Sequence, residues 1–341
     1  MEKQEITPKE RLNCALSFAA VDRVPFFEIA LWEQTVERWK AEGLPAGAAN
    51  ADLLSGNEYF GLEGYDTVLF NMTFPEPCPE EEMVSEDERY VTFIDGMGRT
   101  RMALRSGTVR GMRMSMDSYI GFPVTSRDDW KRLKAKYASN AGDRVPKDWA
   151  KVLARLRQST RPSTFFDRYF ASFGYYSMLR NWMGTVGVSY MFYDDPQLVH
   201  ECLEFLTECI MGWMEKPLRE AQFDLYYIHE DMSGSQGPLI SPEMFRQFLL
   251  PPYRRFVAFL KGCGVKNVIV DTDGNFAPLI PAFLEAGGGS RGDEHHPAAD
   301  RAGRLHSDHR SLHSPGCFVA RVRGIPCAEA HSDARGAMTL Q

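Results

Sequence analysis

The stretch Phe223-Asp224-Leu225-Tyr226-Tyr227-Ile228-His229-Glu230-Asp231 decides the fold, because the apolar run Leu225 to Ile228 ends abruptly in three ionisable residues. The stretch Asn267-Val268-Ile269-Val270-Asp271-Thr272-Asp273-Gly274-Asn275 repeats that plan. Strands covered on both faces read as continuous apolar runs, which marks a parallel sheet packed between helices. Between the two runs, Ser241-Pro242-Glu243 caps a helix that reaches about Leu260, where Gly262-Cys263-Gly264 breaks it. Upstream, Thr164 to Phe170 reads as a strand, and Asp194-Asp195-Pro196 caps a long helix over 197–220. This alternation in one long series predicts an α/β fold of the (β/α)8 TIM-barrel class.

Working outward, Thr7 is an N-cap, Pro8 suits the first helical position, and Glu10 can close a capping box on Thr7. Leu12, Ala15, Leu16 and Ala19 follow at helical spacing. After Asp22-Arg23-Val24-Pro25, the run Phe26 to Trp32 reads as the first buried strand, and Thr67 to Phe70 as another. Tyr90 to Ile94, the turn Asp95 to Gly98, and Thr100 to Leu104 form a hairpin, an insertion near 88–106. Trp130 to Tyr137 and Trp149 to Gln158 are amphipathic helices.

The character changes near residue 287. Residues 288–341 hold no Lys, Asn, Tyr or Trp, yet seven Arg and six of the eight His. They offer one short strand, Cys317 to Ala320, and too little hydrophobicity to order a core. The domain reading is a barrel over 1–287 and an atypical tail over 288–341. A reading-frame shift in a GC-rich gene or a disordered tail would account for that composition. A frame shift would leave the barrel incomplete at the C-terminus.

The net charge of −7 argues against nucleic acid or an anionic membrane as partner. No apolar run is long enough to span a membrane, and the charged start Met1 to Glu5 lacks a signal segment. Seven cysteines without a Cys-x-x-Cys suit reduced thiols and a cytoplasmic location.

In a barrel, catalytic side chains sit at the carboxyl ends of the strands. Asp271 and Asp273, like His229 and Asp231, are two residues apart, so each pair can point to one side. Carboxylates beside a histidine can hold a divalent metal such as zinc, here through His229, Asp271 and Asp273. They can equally raise one pKa for acid–base work. The string Asp271 to Asn275 is also ordinary turn chemistry, with Gly274 supplying a positive φ. His229, Asp271 and Asp273 are the candidate catalytic residues, and Glu28, Trp32, Glu230, Asp231, Asn275 and Arg180 the candidate substrate contacts. Gly262-Cys263-Gly264 lacks the third glycine of a dinucleotide fingerprint. His306, His309 and His313 have helical ligand spacing but lie in the atypical tail, and Met112, Met114 and Met116 suit filling under a lid.

Four motifs together resemble the uroporphyrinogen decarboxylase superfamily, which also contains corrinoid-dependent methyltransferases. They are Thr7 to Arg11 with Asp22 to Pro25, Tyr193 to Val199, Gly237 to Phe245 with Leu250-Pro251, and Asp271 to Asn275, so the resemblance covers about 5–287. The decarboxylases follow the Arg-Val-Pro opening with an arginine-bearing segment that binds substrate carboxylates. Here Phe27 to Glu33 holds no arginine and two acids, and a mouth with Glu28, Glu33, Asp271 and Asp273 repels a polycarboxylated porphyrinogen. The decarboxylases' catalytic tyrosine falls near Asn181. The methyltransferases hold zinc through His-x-Cys at this strand end, where Asp271 and Asp273 are harder ligands. The resemblance implies first a methyl transfer between a small methylated substrate and a corrinoid protein. A decarboxylation of a tetrapyrrole or other carboxylate comes second. An inactive or binding-only truncated barrel is third, whose raw sheet edges favour a homodimer.

Overall fold

The capping box forms as expected at α1 (Pro8–Leu16): Thr7 accepts from the Glu10 amide, and the Glu10 carboxylate accepts from the Thr7 amide. The computed structural model describes residues 6–17, 19–50, 52–73, 75–105, 108–109, 112–113, 117–138, 144–168, 173–287, 317–320 and 339–340. After α1 come α2 (Glu33–Ala41), β1 (Asp66–Phe70), β2 (Glu82–Glu86), β3 (Tyr90–Ile94) and β4 (Thr100–Leu104). Short β5 (Thr108–Val109) and β6 (Met112–Arg113) precede β7 (Ser118–Gly121), α3 (Arg127–Ala138), α4 (Trp149–Gln158) and β8 (Ser163–Asp167). Then follow α5 (Tyr175–Asp194), broken at Gly184, α6 (Pro196–Glu220) and β9 (Leu225–His229). The series ends with β10 (Ser233–Gly234), β11 (Gly237–Pro238), α7 (Pro242–Met244), α8 (Leu250–Gly262), β12 (Asn267–Asp271), α9 (Ile280–Ala286), β13 (Cys317–Ala320) and β14 (Thr339–Leu340).

β1 pairs in parallel with β8, and β9 in parallel with β12. The Asp224 amide donates to the Ser163 carbonyl at 3.2 Å and joins the two pairs at their lower ends. β13 adds antiparallel to β12. The architecture is α/β, but among the described residues these strands do not close into a barrel. β3 and β4 pair as the expected hairpin, in register from Tyr90 with Leu104 to Ile94 with Thr100, and β2 and β7 widen it to four strands.

The expected strand Phe26 to Trp32 is not one. Phe26 and Trp32 are 54% and 56% exposed, and the segment makes only an isolated bridge between Ala30 and Asp52. Its carbonyls at Phe26 and Ile29 accept from the amides of Glu63 and Leu53, so loop 53–63, rather than β1, satisfies its backbone. Only Phe27 and Ile29 pack inward.

The continuous apolar runs are explained by burial on two faces. Phe165, Tyr226, Ile228, Val268 and Val270 join the large core beneath the helices. Their neighbours Phe166, Leu225, Tyr227 and Ile269 face the other way, against Leu12 and Leu16 of α1. Each such side chain contributes about 1.5–3 kcal/mol by leaving water. The motif Arg11 with Asp22-Arg23 is a structural lock. Arg11, 1% exposed, donates to both Asp22 carboxylate oxygens at 2.6 Å and pairs with buried Glu63, which also accepts from Arg23 at 2.7 Å. The Arg11 hydrogen bond holds Asp22 well below the usual carboxylate range.

No disulfide links the described cysteines, and no helix among the described residues is long and apolar enough to cross a membrane. Met114, Met116, His306, His309 and His313 lie outside the described residues.

Candidate active site

Parallel register sets Asp271 opposite His229 and Ile269 opposite Tyr227. Alternation along a strand then turns the side chains of His229 and Asp271 to the same face as Tyr227 and Ile269, above that inner cluster. The two meet: His229 Nδ1 lies 3.1 Å from Asp271 Oδ2. His229 keeps 42% of its side chain exposed and Asp271 only 16%, so the carboxylate sits behind the imidazole and orients it. With Nδ1 engaged, Nε2 remains for a reacting group.

Burial opposes charge on His229. The hydrogen bond that Nδ1 donates to Asp271 and the negative charges of Asp271, Asp231 and Asp273 outweigh it, so its pKa lies above the ordinary histidine value. Asp273 is also raised, by burial first and then by the charges of Asp231 and Asp271, while His229 and Arg180 act the other way. Its carboxylate is at the exposed end of the cluster.

The turn that carries Asp273 is built by its neighbours. Gly274 has φ of +74°, and a β-carbon there would lie 2.5 Å from the Gly234 carbonyl oxygen, so close backbone approach requires glycine. The Asn275 amide donates to that same carbonyl at 2.9 Å, and Asn275 Oδ1 accepts from the Ala277 amide at 3.4 Å. Within Asp271 to Asn275, Gly274 and Asn275 therefore serve the turn, which sets the Asp273 carboxylate beside Asp271 and His229.

Asp231 lies on the His229 side and is held by α5. Arg180 pairs with its carboxylate and donates to its carbonyl at 2.8 Å, and its amide donates to Ser177 Oγ at 2.7 Å. Glu230, between them, points the opposite way and is 0% exposed. It accepts from the Ser177 amide at 2.7 Å, from Ser177 Oγ at 2.9 Å, from the Tyr176 amide at 3.3 Å and from the Tyr253 hydroxyl. Burial raises its pKa, and these donors only partly offset the effect.

The structure thus brings His229, Asp271, Asp273, Asp231 and Arg180 together, and turns Glu230 away from them. Glu28 and Trp32 are exposed on the 26–32 segment, and no hydrogen bond among the described residues joins them to the cluster. Asn181, at the position of the decarboxylases' tyrosine, accepts from Arg99 of the β3–β4 turn at 2.6 Å. Sequence reasoning missed Ser177 and Tyr253. A serine three residues after Gly174 was the one signal available for the first, and a buried tyrosine on α8 gives none.

The expected metal set does not assemble. No group of three His, Cys, Asp or Glu among the described residues converges as metal ligands would. His229 and Asp271 bond one another instead.

A histidine backed by a carboxylate at the ends of two adjoining parallel strands is an arrangement suited to acid–base chemistry. The chain belongs to the uroporphyrinogen decarboxylase (URO-D) family, whose model matches residues 111–308. That match ends inside the compositionally distinct stretch. A methyltransferase from Methanosarcina mazei is among the similar solved structures, at 16% identity and a TM-score of 0.46, covering 83% of this chain and 74% of that one. No curated protein matches the chain.

Proposed function

We propose that this chain is an enzyme on the barrel scaffold of its family that transfers a methyl group between a small methylated substrate and a corrinoid carried by a partner protein. The observation that carries the acid–base part is the His229–Asp271 pair, with Nε2 left open. As the methyl–heteroatom bond of a neutral substrate breaks and the methyl group passes to the corrinoid, protonated His229 delivers its Nε2 proton to that heteroatom. The demethylated product then departs neutral; a cationic substrate leaves neutral without that proton. In the reverse direction the neutral imidazole takes that proton back. Asp271 holds the ring and stabilises its charged form. Asp273 contributes negative charge at the open side, which suits a neutral or cationic substrate.

Family membership supports decarboxylation as readily as methyl transfer; the charges at the site do not. Three carboxylates surround His229, and the arginine of this cluster, Arg180, is already paired with Asp231. A polycarboxylated substrate would meet the repulsion of those three carboxylates, with Arg180 already engaged.

The test uses purified protein with free cob(I)alamin and a panel of small methylated ethers, amines and thiols, following methylcobalamin by absorbance. Methyl transfer that falls sharply in His229→Gln supports the reading. Coproporphyrinogen formed from uroporphyrinogen would overturn it in favour of decarboxylation. Transfer absent from every substrate, with the frame shifted near codon 287 on resequencing, would leave the binding-only chain with an unclosed barrel.

A further inference from the structure

Three consecutive residues at the end of β9, His229, Glu230 and Asp231, meet different surroundings. Glu230 leaves the strand on the helix side and is fully buried at the first turn of α5. Its carboxylate receives the amides of Tyr176 and Ser177, the Ser177 hydroxyl and the Tyr253 hydroxyl. Gly174 makes room for it, since a β-carbon there would stand 2.5 Å from the carboxylate. Free amides at a helix start favour an anion, so the contact draws α5 onto the strand end. Ser177 carries the register onward, because the same hydroxyl that donates to Glu230 accepts from the Asp231 amide at 2.7 Å. One turn later Arg180 takes the Asp231 carboxylate and, at 2.8 Å, its carbonyl.

We propose that Glu230 is a positioning residue that sets specificity: by seating α5 on the strand end it holds Arg180 on Asp231 and so withdraws that arginine from binding substrate anions. This rests on reading the His229 face as the site, but not on methyl transfer being its reaction. Arg180 is 28% exposed at its side chain, so a small carboxylate could reach it were it released. An arginine freed from its partner is a strong ligand for a carboxylate, because both charge and fork geometry match.

The experiment follows the Arg180 guanidinium by nitrogen-15 NMR of the full chain, together with the affinity for succinate as a probe anion. In the unmodified protein the Arg180 side-chain protons should give separate, slowly exchanging signals, and succinate should bind weakly. Glu230→Gln and Ser177→Ala should each collapse those signals and tighten succinate binding about tenfold, a gain that a merely structural Glu230 would not produce. Asp231→Asn should give the same gain by removing the partner directly. If Glu230→Gln fails to fold, Ser177→Ala carries the test alone. Arg180 signals that stay separate in the folded variants, or an unchanged affinity for succinate, overturn the assignment. Neither readout depends on corrinoid chemistry, so failure here is distinguishable from failure of the methyl-transfer reading.

Discussion

Two charged clusters lie in this molecule and are built to opposite ends. The N-terminal lock is balanced and closed: Arg11 and Arg23 meet Asp22 and Glu63, and Arg11 and Glu63 are almost wholly buried. The strand-end cluster is unbalanced and open: Asp231, Asp271 and Asp273 surround His229, and only Arg180 answers them among the contacts seen there. Charges that all find partners hold structure together. Charges left in surplus beside a histidine shift its protonation and await something else.

The sharpest way to break that comparison is to disable each cluster and ask what is lost. His229→Gln should reduce methyl transfer by roughly 10²–10⁴-fold, the usual range for a general acid–base group, with the melting temperature almost unchanged at a pH above the folded pKa of His229. Glu63→Ala should do the reverse, removing about 3 kcal/mol of stability in a denaturant titration, because it leaves Arg11 buried without one of its counter-charges. Gly274→Ala should cost about 1–2 kcal/mol for the positive φ alone, more with the clash on Gly234, and calorimetry reads the sum.

Subtler effects concern pH. The folded pKa of His229 is raised above 6.5, so its contribution to stability is fully present below that value and lost as pH rises through the folded one. The stability difference between the unmodified chain and His229→Gln should shrink over that window, and Asp271→Asn should bring the NMR titration midpoint of His229 downward. A midpoint that stays where it was would detach Asp271 from the histidine. Smallest of all, Asp273→Asn should leave stability within about 0.5 kcal/mol, since Asp273 is exposed, while raising the KM of a cationic substrate.

Much of the scaffold was legible in the residues. The capping box at Thr7 and Glu10, the cap at Ser241, the hairpin around Asp95 to Gly98 and the apolar runs of β1, β9 and β12 are local signals, and each appears about where it was read, whereas β8 ends at Asp167, short of the expected Phe170. Phe26 to Trp32 failed for a reason outside the segment: an apolar run becomes a strand only when a partner takes its hydrogen bonds, and loop 53–63 took them instead. Of the candidate site, His229, Asp271 and Asp273 could be named from their place at strand ends. Glu230 and Asn275 could be named too, but not their roles as helix anchor and turn cap.

Sequence by itself determined which residues are apolar, which turns need glycine, and that two acidic strand ends exist, because propensity, capping and period are properties of neighbouring residues. Only the tertiary structure decided that Asp271 stands opposite His229, that Glu230 faces α5, and that Arg180 is already paired with Asp231. Those outcomes depend on strand register and on elements about 40 to 55 residues apart, as between His229 and Asp271 or Ser177 and Glu230. No local pattern encodes such distances, so the chemistry of the site emerges only when the strands pair.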